Sequence, residues 1–167
     1  QAGIRPEQVE TGAVIITGET ARKKNADQVL KAIAGLAGDF VVTVAGPNVE
    51  GMIAGRGSGA ASYSRQHFTT VTNIDIGGGS ANSAVFRQGN QAASAAMNYG
   101  GRIIELNNGA VSAITRAGSW ICEAAGVSIT VGSRPSLQDL RRVTDCMAEV
   151  TVHLIEGTTS PLADKLY

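Results

Sequence analysis

The chain has no excess of either charge: 14 lysines and arginines stand against 14 aspartates and glutamates in 167 residues. That balance leaves no electrostatic footprint for nucleic acid or for an anionic membrane surface. Long apolar runs are also missing, and none approaches the ~20 residues that a membrane-spanning helix needs. Cysteine is scarce, with only Cys122 and Cys146. Without a leader-like stretch at the start, this points to a reduced, cytoplasmic setting. Proline is scarce beside glycine, 4 against 21, which favours close-packed elements and tight turns over disorder.

Several familiar phosphate and nucleophile signatures are absent too. No Gly-x4-Gly-Lys-Ser/Thr run exists, so there is no Walker loop. Gly77-x-Gly79 runs on into strand residues rather than opening a helix, which excludes a dinucleotide fingerprint there. Gly78-Gly79-Ser80-Ala81-Asn82 lacks the closing glycine of a nucleophile elbow.

What is present is organised around Thr72–Gln88. In Val71–Ile76 polar and apolar residues alternate, with Asn73 and Asp75 on one face and Ile74 and Ile76 on the other, so the segment reads as a strand. Gly77-Gly78-Gly79-Ser80 follows as a turn, and a second strand follows it. Glycines can take left-handed backbone angles and offer N–H groups unobstructed by side chains. Such a turn is expected to form a nest for an anion, phosphate above all. Asp75 stands at its lip, where a carboxylate can hold a hydrated hard cation such as Mg²⁺ through water.

Upstream, Ala13–Thr17 and Phe40–Ala45 are short continuous apolar runs of the kind buried on both faces. Val29, Leu30, Ile33 and Leu36 recur at helical spacing between them, over 25–36. The first part is therefore expected to be β-α-β with a parallel strand pair. A helix is expected over Val49–Ser64, where Gly51, Gly55 and Gly59 form one smooth stripe. Each glycine costs a helix about 1 kcal/mol relative to alanine, so close approach of another backbone is expected along the stripe. Glu50 stands in the first turn, where the macrodipole favours a carboxylate and where it could also act as a base or orient a water.

Downstream, strands are expected at Gln91–Met97, Gly101–Leu106 and Ala110–Thr115, the last two joined by an Asn107-Asn108-Gly109 hairpin turn. Arg116–Pro135 yields no clear element. Ser136 with Asp139 resembles a capping box, and Leu137, Leu140, Val143, Met147, Val150 and Leu154 give an amphipathic helix ended by Gly157. Cys146 and His153 share a face of it, more readily as core than as metal ligands.

The Asp75-Ile76-Gly77-Gly78-Gly79-Ser80 run resembles the second phosphate motif of the actin/Hsp70/sugar-kinase ATPase superfamily, with Ser80 where threonine is usual. That resemblance implies an α/β class and a partial actin-like (ribonuclease H-like) fold: β-α-β-α, then a β-meander and a C-terminal helix. It divides the chain into the end of a first lobe with its linking helix at 1–68 and the start of a second lobe at 69–167. It implies that Glu50 orients the hydrolytic water, that Asp75 holds Mg²⁺ through water, and that Gly77, Gly78, Gly79 and Ser80 bind phosphate. Gly100-Gly101 resembles the Gly-Gly that follows the same meander in Hsp70-like chaperones, which implies that Gly100 and Gly101 also belong to the nucleotide-binding residues.

A closer resemblance runs through Thr17-Gly18-Glu19-Thr20-Ala21, Ala45-Gly46-Pro47, Asn73-Ile74-Asp75-Ile76-Gly77-Gly78-Gly79, Gly100-Gly101-Arg102 and Ser160-Pro161-Leu162-Ala163. These stretches are similar to the reactivating factors of ethanolamine ammonia-lyase. The resemblance implies an ATP/ADP- and Mg²⁺-dependent, chaperone-like factor that releases damaged cobalamin from that lyase in the bacterial cytoplasm, at or near the ethanolamine microcompartment. The family's first phosphate loop and its adenosine motif are not in these residues, so the chain looks like an internal piece with negligible ATP hydrolysis of its own. Two other readings remain: a small-molecule kinase of the same superfamily, and a non-enzymatic assembly module associating through the Gly51/Gly55/Gly59 face.

Overall fold

The computed structural model describes residues 3–5, 8, 13–16, 28, 31–32, 41–44 and 46–167. Two short strands, β1 (Ala13–Ile16) and β2 (Val41–Val44), pair in parallel from Ala13↔Val41 to Ile16↔Val44. Of the helix expected over 25–36, only Gln28, Lys31 and Ala32 are described, and each is helical. Thr17–Ala21 and Ala45, which carry part of the family resemblance, lie outside the described residues.

The helix expected over Val49–Ser64 is two helices, α1 (Pro47–Gly57) and α2 (Ala60–Gln66). Gly59 breaks it by taking the left-handed conformation at φ 86°, which glycine adopts without a Cβ penalty. Beside the break, the Ser58 hydroxyl donates to Asn73 Oδ1 at 2.8 Å and ties the helix end to the neighbouring strand. Pro47 sits at the head of α1, where its missing N–H loses no hydrogen bond.

A three-stranded antiparallel sheet follows, with β3 (Thr70–Ile76), β4 (Ala81–Arg87) and β5 (Asn90–Met97) in that order. β3 and β4 are in register from Thr70↔Arg87 to Ile76↔Ala81. Gln88 and Gly89 both take positive φ, 50° and 83°, the geometry that closes a two-residue hairpin between β4 and β5. The buried Ser64 hydroxyl accepts from Gly89 N at 2.9 Å, pinning α2 to that turn.

β4 is central and nearly all buried, because both faces of the sheet are covered. Ala84 and Phe86 face α1 and α2, joining Ala61 in a small cluster. Ala81 faces the main core, where Met97, Tyr99, Ile103 and Val111 meet Ile121, Val143, Val150 and Leu154.

The expected meander is interrupted after β5. The strand predicted from Gly101 begins only at Ile104, and β6 (Ile104–Asn107) pairs with β7 (Ala110–Ile114) as a separate hairpin. The cause is local. Gly101 N and Arg102 N donate to Gly77 O at 2.9 Å and Gly78 O at 2.8 Å, so this backbone is committed to the glycine turn instead of a ladder.

Arg116–Ala124, unread in the sequence, is a helix (α3) whose N-cap Thr115 accepts from Gly118 N at 3.0 Å. The amphipathic helix is α4 (Leu137–Glu156), with its Ser136/Asp139 capping box formed and Gly157 closing it at φ 67°. A short α5 (Ala163–Leu166) docks Ala163 and Leu166 into the core. Cys146 packs in that core, while His153 bonds Thr158 through Nδ1 at 2.8 Å. Among the described residues no cluster of three or more metal-ligating side chains forms.

The glycine stripe is not a free surface. A Cβ on Gly51 would lie 3.4 Å from both Ser83 O and the Ala84 Cβ, and one on Gly55 would collide with the Phe86 ring. Gly59 lies in the break. Self-association through the Gly51/Gly55/Gly59 face is therefore corrected: β4 of the same chain already occupies it at the first two glycines.

Candidate functional site

The site is built on the hairpin that carries Asp75. β3 and β4 lie side by side, so directly opposed residues point to the same face, their Cβ atoms about 4.5–5.5 Å apart. Asp75 opposes Asn82, and Asn73 opposes Ala84. Ala84 touches Gly51 of α1 and Asn73 bonds Ser58 just after it, so this is the face that α1 crosses. Across the sheet on β5, the Ser94 hydroxyl donates to Asn48 Oδ1 at 2.9 Å, which holds the first turn of α1 in place. Glu50 stands in that turn, half-buried. Asp75, also half-buried, and Asn82 lie two residues along the strands from Asn73 and Ala84, at the end nearest the glycine turn.

Asn82 was not singled out from the sequence. Its side chain is 1% exposed, yet neither Oδ1 nor Nδ2 has a hydrogen-bond partner. Leaving a buried amide unpaired costs about 1–3 kcal/mol. A polar residue on the face shared with Ala84 and Phe86, opposite Asp75, was the available signal. Its lack of a partner is a tertiary fact.

Between the strands, Gly77 N donates to Ser80 O at 2.9 Å and closes the turn. None of Gly77, Gly78 and Gly79 adopts a left-handed φ, which corrects the expected reason for these glycines. Their smallness serves close approach. A Cβ on Gly78 would lie 3.3 Å from Arg102 Cδ, and one on Gly100 would strike Gly77 O and sit 2.7 Å from Gly78 C. Gly100 is buried beneath the turn, whereas Gly77, Gly78 and Gly79 stay exposed and Ser80 is half-buried. Among the described residues the N–H groups of Gly78 and Gly79 have no protein acceptor.

The structure thus joins Gly77 and Gly78 with Gly100 and Gly101 directly, and it places Asp75 at the root of the same turn. Glu50 stands in the first turn of the helix that covers this face. The chemical repertoire is a carboxylate, a buried amide with two N–H donors and two acceptor lone pairs, and an exposed turn with free N–H groups. That set fits a hydrated cation carrying an anion. Among the described residues it contains no nucleophile–base pair.

Comparison with known proteins bears on what this arrangement serves. The family model for ethanolamine utilisation protein EutA matches residues 1–167, the whole chain. The chain belongs to the EutA family. It is 46% identical over 167 residues to the ethanolamine ammonia-lyase reactivase EutA of Escherichia coli, covering 99% of this chain and 36% of that protein. Its identity to the Salmonella typhimurium reactivase EutA is 43% over 166 residues, again covering 99% and 36%. The chain therefore spans about a third of the length of the curated relatives it matches. Two structures of Aquifex aeolicus Ppx/GppA proteins show a looser likeness at 20% identity. Their TM-scores are 0.48 and 0.47, over 86% and 87% of this chain and 41% of each of theirs. Among the described residues no helix is long and apolar enough to cross a membrane.

Proposed function

We propose that the intact protein is an ATP- and Mg²⁺-dependent reactivating factor for ethanolamine ammonia-lyase, and that this chain supplies the Asp75 side of its nucleotide phosphate site. The partner follows from the name that the EutA relatives carry. The nucleotide reading is carried by Asn82: an amide buried beside Asp75 with both polar atoms unpaired is accounted for by a ligand that completes it.

The residues present fit that ligand. Asp75 would accept from the waters of a hydrated Mg²⁺, which keeps several of its waters and takes one or two carboxylates. Gly78 and Gly79 would donate their free N–H groups to phosphate oxygens, with Ser80 adding a hydroxyl. Gly100 and Gly101 would act one step back, holding the turn through Gly77 O and Gly78 O. Glu50 would orient the water that attacks the terminal phosphate, at the head of a helix that bridges residues 1–68 and 69–167 as two lobes. Mg²⁺ would neutralise phosphate charge; the protein's part is orientation and water exclusion. Release of damaged cobalamin would be coupled to closure of the lobes, in the bacterial cytoplasm and near the ethanolamine microcompartment.

The test is reactivation of lyase carrying damaged cobalamin, by the intact protein with ATP, Mg²⁺ and adenosylcobalamin. Asp75→Ala is expected to lower recovery to the level seen without the factor. Full recovery with Asp75→Ala would remove Asp75 from the mechanism.

A further inference from the structure

Arg102 is exposed beside the glycine turn and joins it through its backbone. Its N–H donates to Gly78 O at 2.8 Å. Its side chain then folds over the same glycine: from the position a Gly78 Cβ would take, Arg102 Cδ is at 3.3 Å, Cγ at 3.5 Å and Cβ at 3.8 Å. The aliphatic stem is thus laid against Gly78, in the middle of the glycine turn. The guanidinium carbon is two bonds beyond Cδ, about 2.5 Å from it by covalent geometry, so the charge stays beside the turn whichever rotamer the head takes. Among the described residues no carboxylate pairs with this guanidinium and no carbonyl accepts from it.

We propose that Arg102 is a specificity residue for the phosphate chain of the ligand, forking onto the phosphate oxygens that the Gly77–Ser80 turn presents. The inference rests on reading that turn as the phosphate site. Three features single Arg102 out. The Gly78 position leaves room for its stem, which a side chain there would crowd. Its backbone is bonded to the turn, so the side chain is anchored before any ligand arrives. Its five N–H donors are planar and permanently charged, the geometry that recognises phosphate bidentately. With Asp75 holding the cation on one side and Arg102 the oxygens on the other, the site would count phosphates and be indifferent to the base.

The experiment is calorimetric titration of the intact protein with adenosine, AMP and ADP in the presence of Mg²⁺. The proteins are the wild type, Asp75→Ala, Arg102→Gln and Arg102→Lys. Glutamine keeps Cβ, Cγ and Cδ, so the packing over Gly78 survives and only the charged head is lost. Arg102→Gln is expected to weaken ADP by about 10-fold or more, as for a lost charge-assisted hydrogen bond, to leave adenosine unchanged and to melt with the wild type when no nucleotide is present. Arg102→Lys should recover part of the loss, since it restores the charge without the fork. ADP binding by Arg102→Gln equal to wild type, while Asp75→Ala has lost it, would overturn the role of Arg102 and leave the phosphate site standing. Wild type and Asp75→Ala binding ADP equally, or wild type not binding it, would overturn the phosphate reading and this inference with it.

Discussion

Asp75 and Asn82 face each other across β3 and β4, a half-buried carboxylate beside a fully buried amide, on the face of the sheet that α1 covers. The strand register fixes the pair, since a slip of one residue would turn both side chains to the opposite face. Neither atom of the amide is satisfied within the protein. The fold therefore keeps a polar group at a stability cost beside a carboxylate at the root of the glycine turn.

Asn82→Leu, close in shape and apolar, is expected to raise the ligand-free stability by about 1 kcal/mol, because the unpaired amide is removed. The same variant is expected to weaken Mg²⁺–ADP. Denaturant melts and titrations on one preparation check both. An amide that merely packs would give lower stability and unchanged binding.

Gly55 and Gly57 make a contrasting pair on α1. A Cβ at Gly55 collides with the Phe86 ring, whereas one at Gly57 meets nothing within 4 Å. Gly55→Ala is expected to destabilise by about 1–3 kcal/mol through overpacking. Gly57→Ala is expected to stabilise by about 0.5–1 kcal/mol, through helix propensity alone. Urea midpoints of the two variants should move in opposite directions.

The capping box of α4 predicts an acid-side effect. The Ser136 hydroxyl donates to Asp139 Oδ2 at 2.7 Å and the Ser136 N–H donates to it at 3.2 Å. Chiefly through the hydroxyl, these bonds hold the Asp139 carboxyl below its ordinary value. A depressed folded pKa contributes stability above the unfolded value, about 3.9, and that contribution is lost as pH falls through the folded value. Stability measured against pH should therefore fall less steeply on the acid side in Asp139→Asn than in wild type.

The two thiols predict slow chemistry. Burial first, then the nearby Cys146, pushes Cys122 up; burial first, then Glu149, pushes Cys146 up. Since the thiolate is the reactive form, both should label slowly at neutral pH in the native protein and rapidly in denaturant. Fast native labelling of either would contradict its place in the core.

Much of this was legible from residue order. The alternation in Val71–Ile76, the glycine turn, the Asn108-Gly109 hairpin and the Ser136 cap are local signals, and each produced the expected element. Misreadings arose where tertiary contact decides. A Gly51/Gly55/Gly59 stripe looks the same whether its last glycine packs or breaks the helix; Gly59 breaks it, while Gly55 receives Phe86. Arg116–Ala124 yielded no clear element from the sequence, and Gly118 within it has a tertiary reason: a Cβ there would strike Ile103 O. The late start of β6 follows from hydrogen bonds between Gly101, Arg102 and the glycine turn, which no periodicity reveals. Asp75 and the glycines of the candidate site were visible as a motif, whereas Asn82 and Arg102 needed the sheet register and the packed turn.

The most direct test of the nucleotide site is calorimetric titration of Mg²⁺–ADP into the intact protein and into its Asp75→Ala variant, each repeated with the metal chelated. The account predicts saturable, Mg²⁺-dependent binding by the wild type that Asp75→Ala loses. Equal binding by both proteins, or binding indifferent to Mg²⁺, would contradict it.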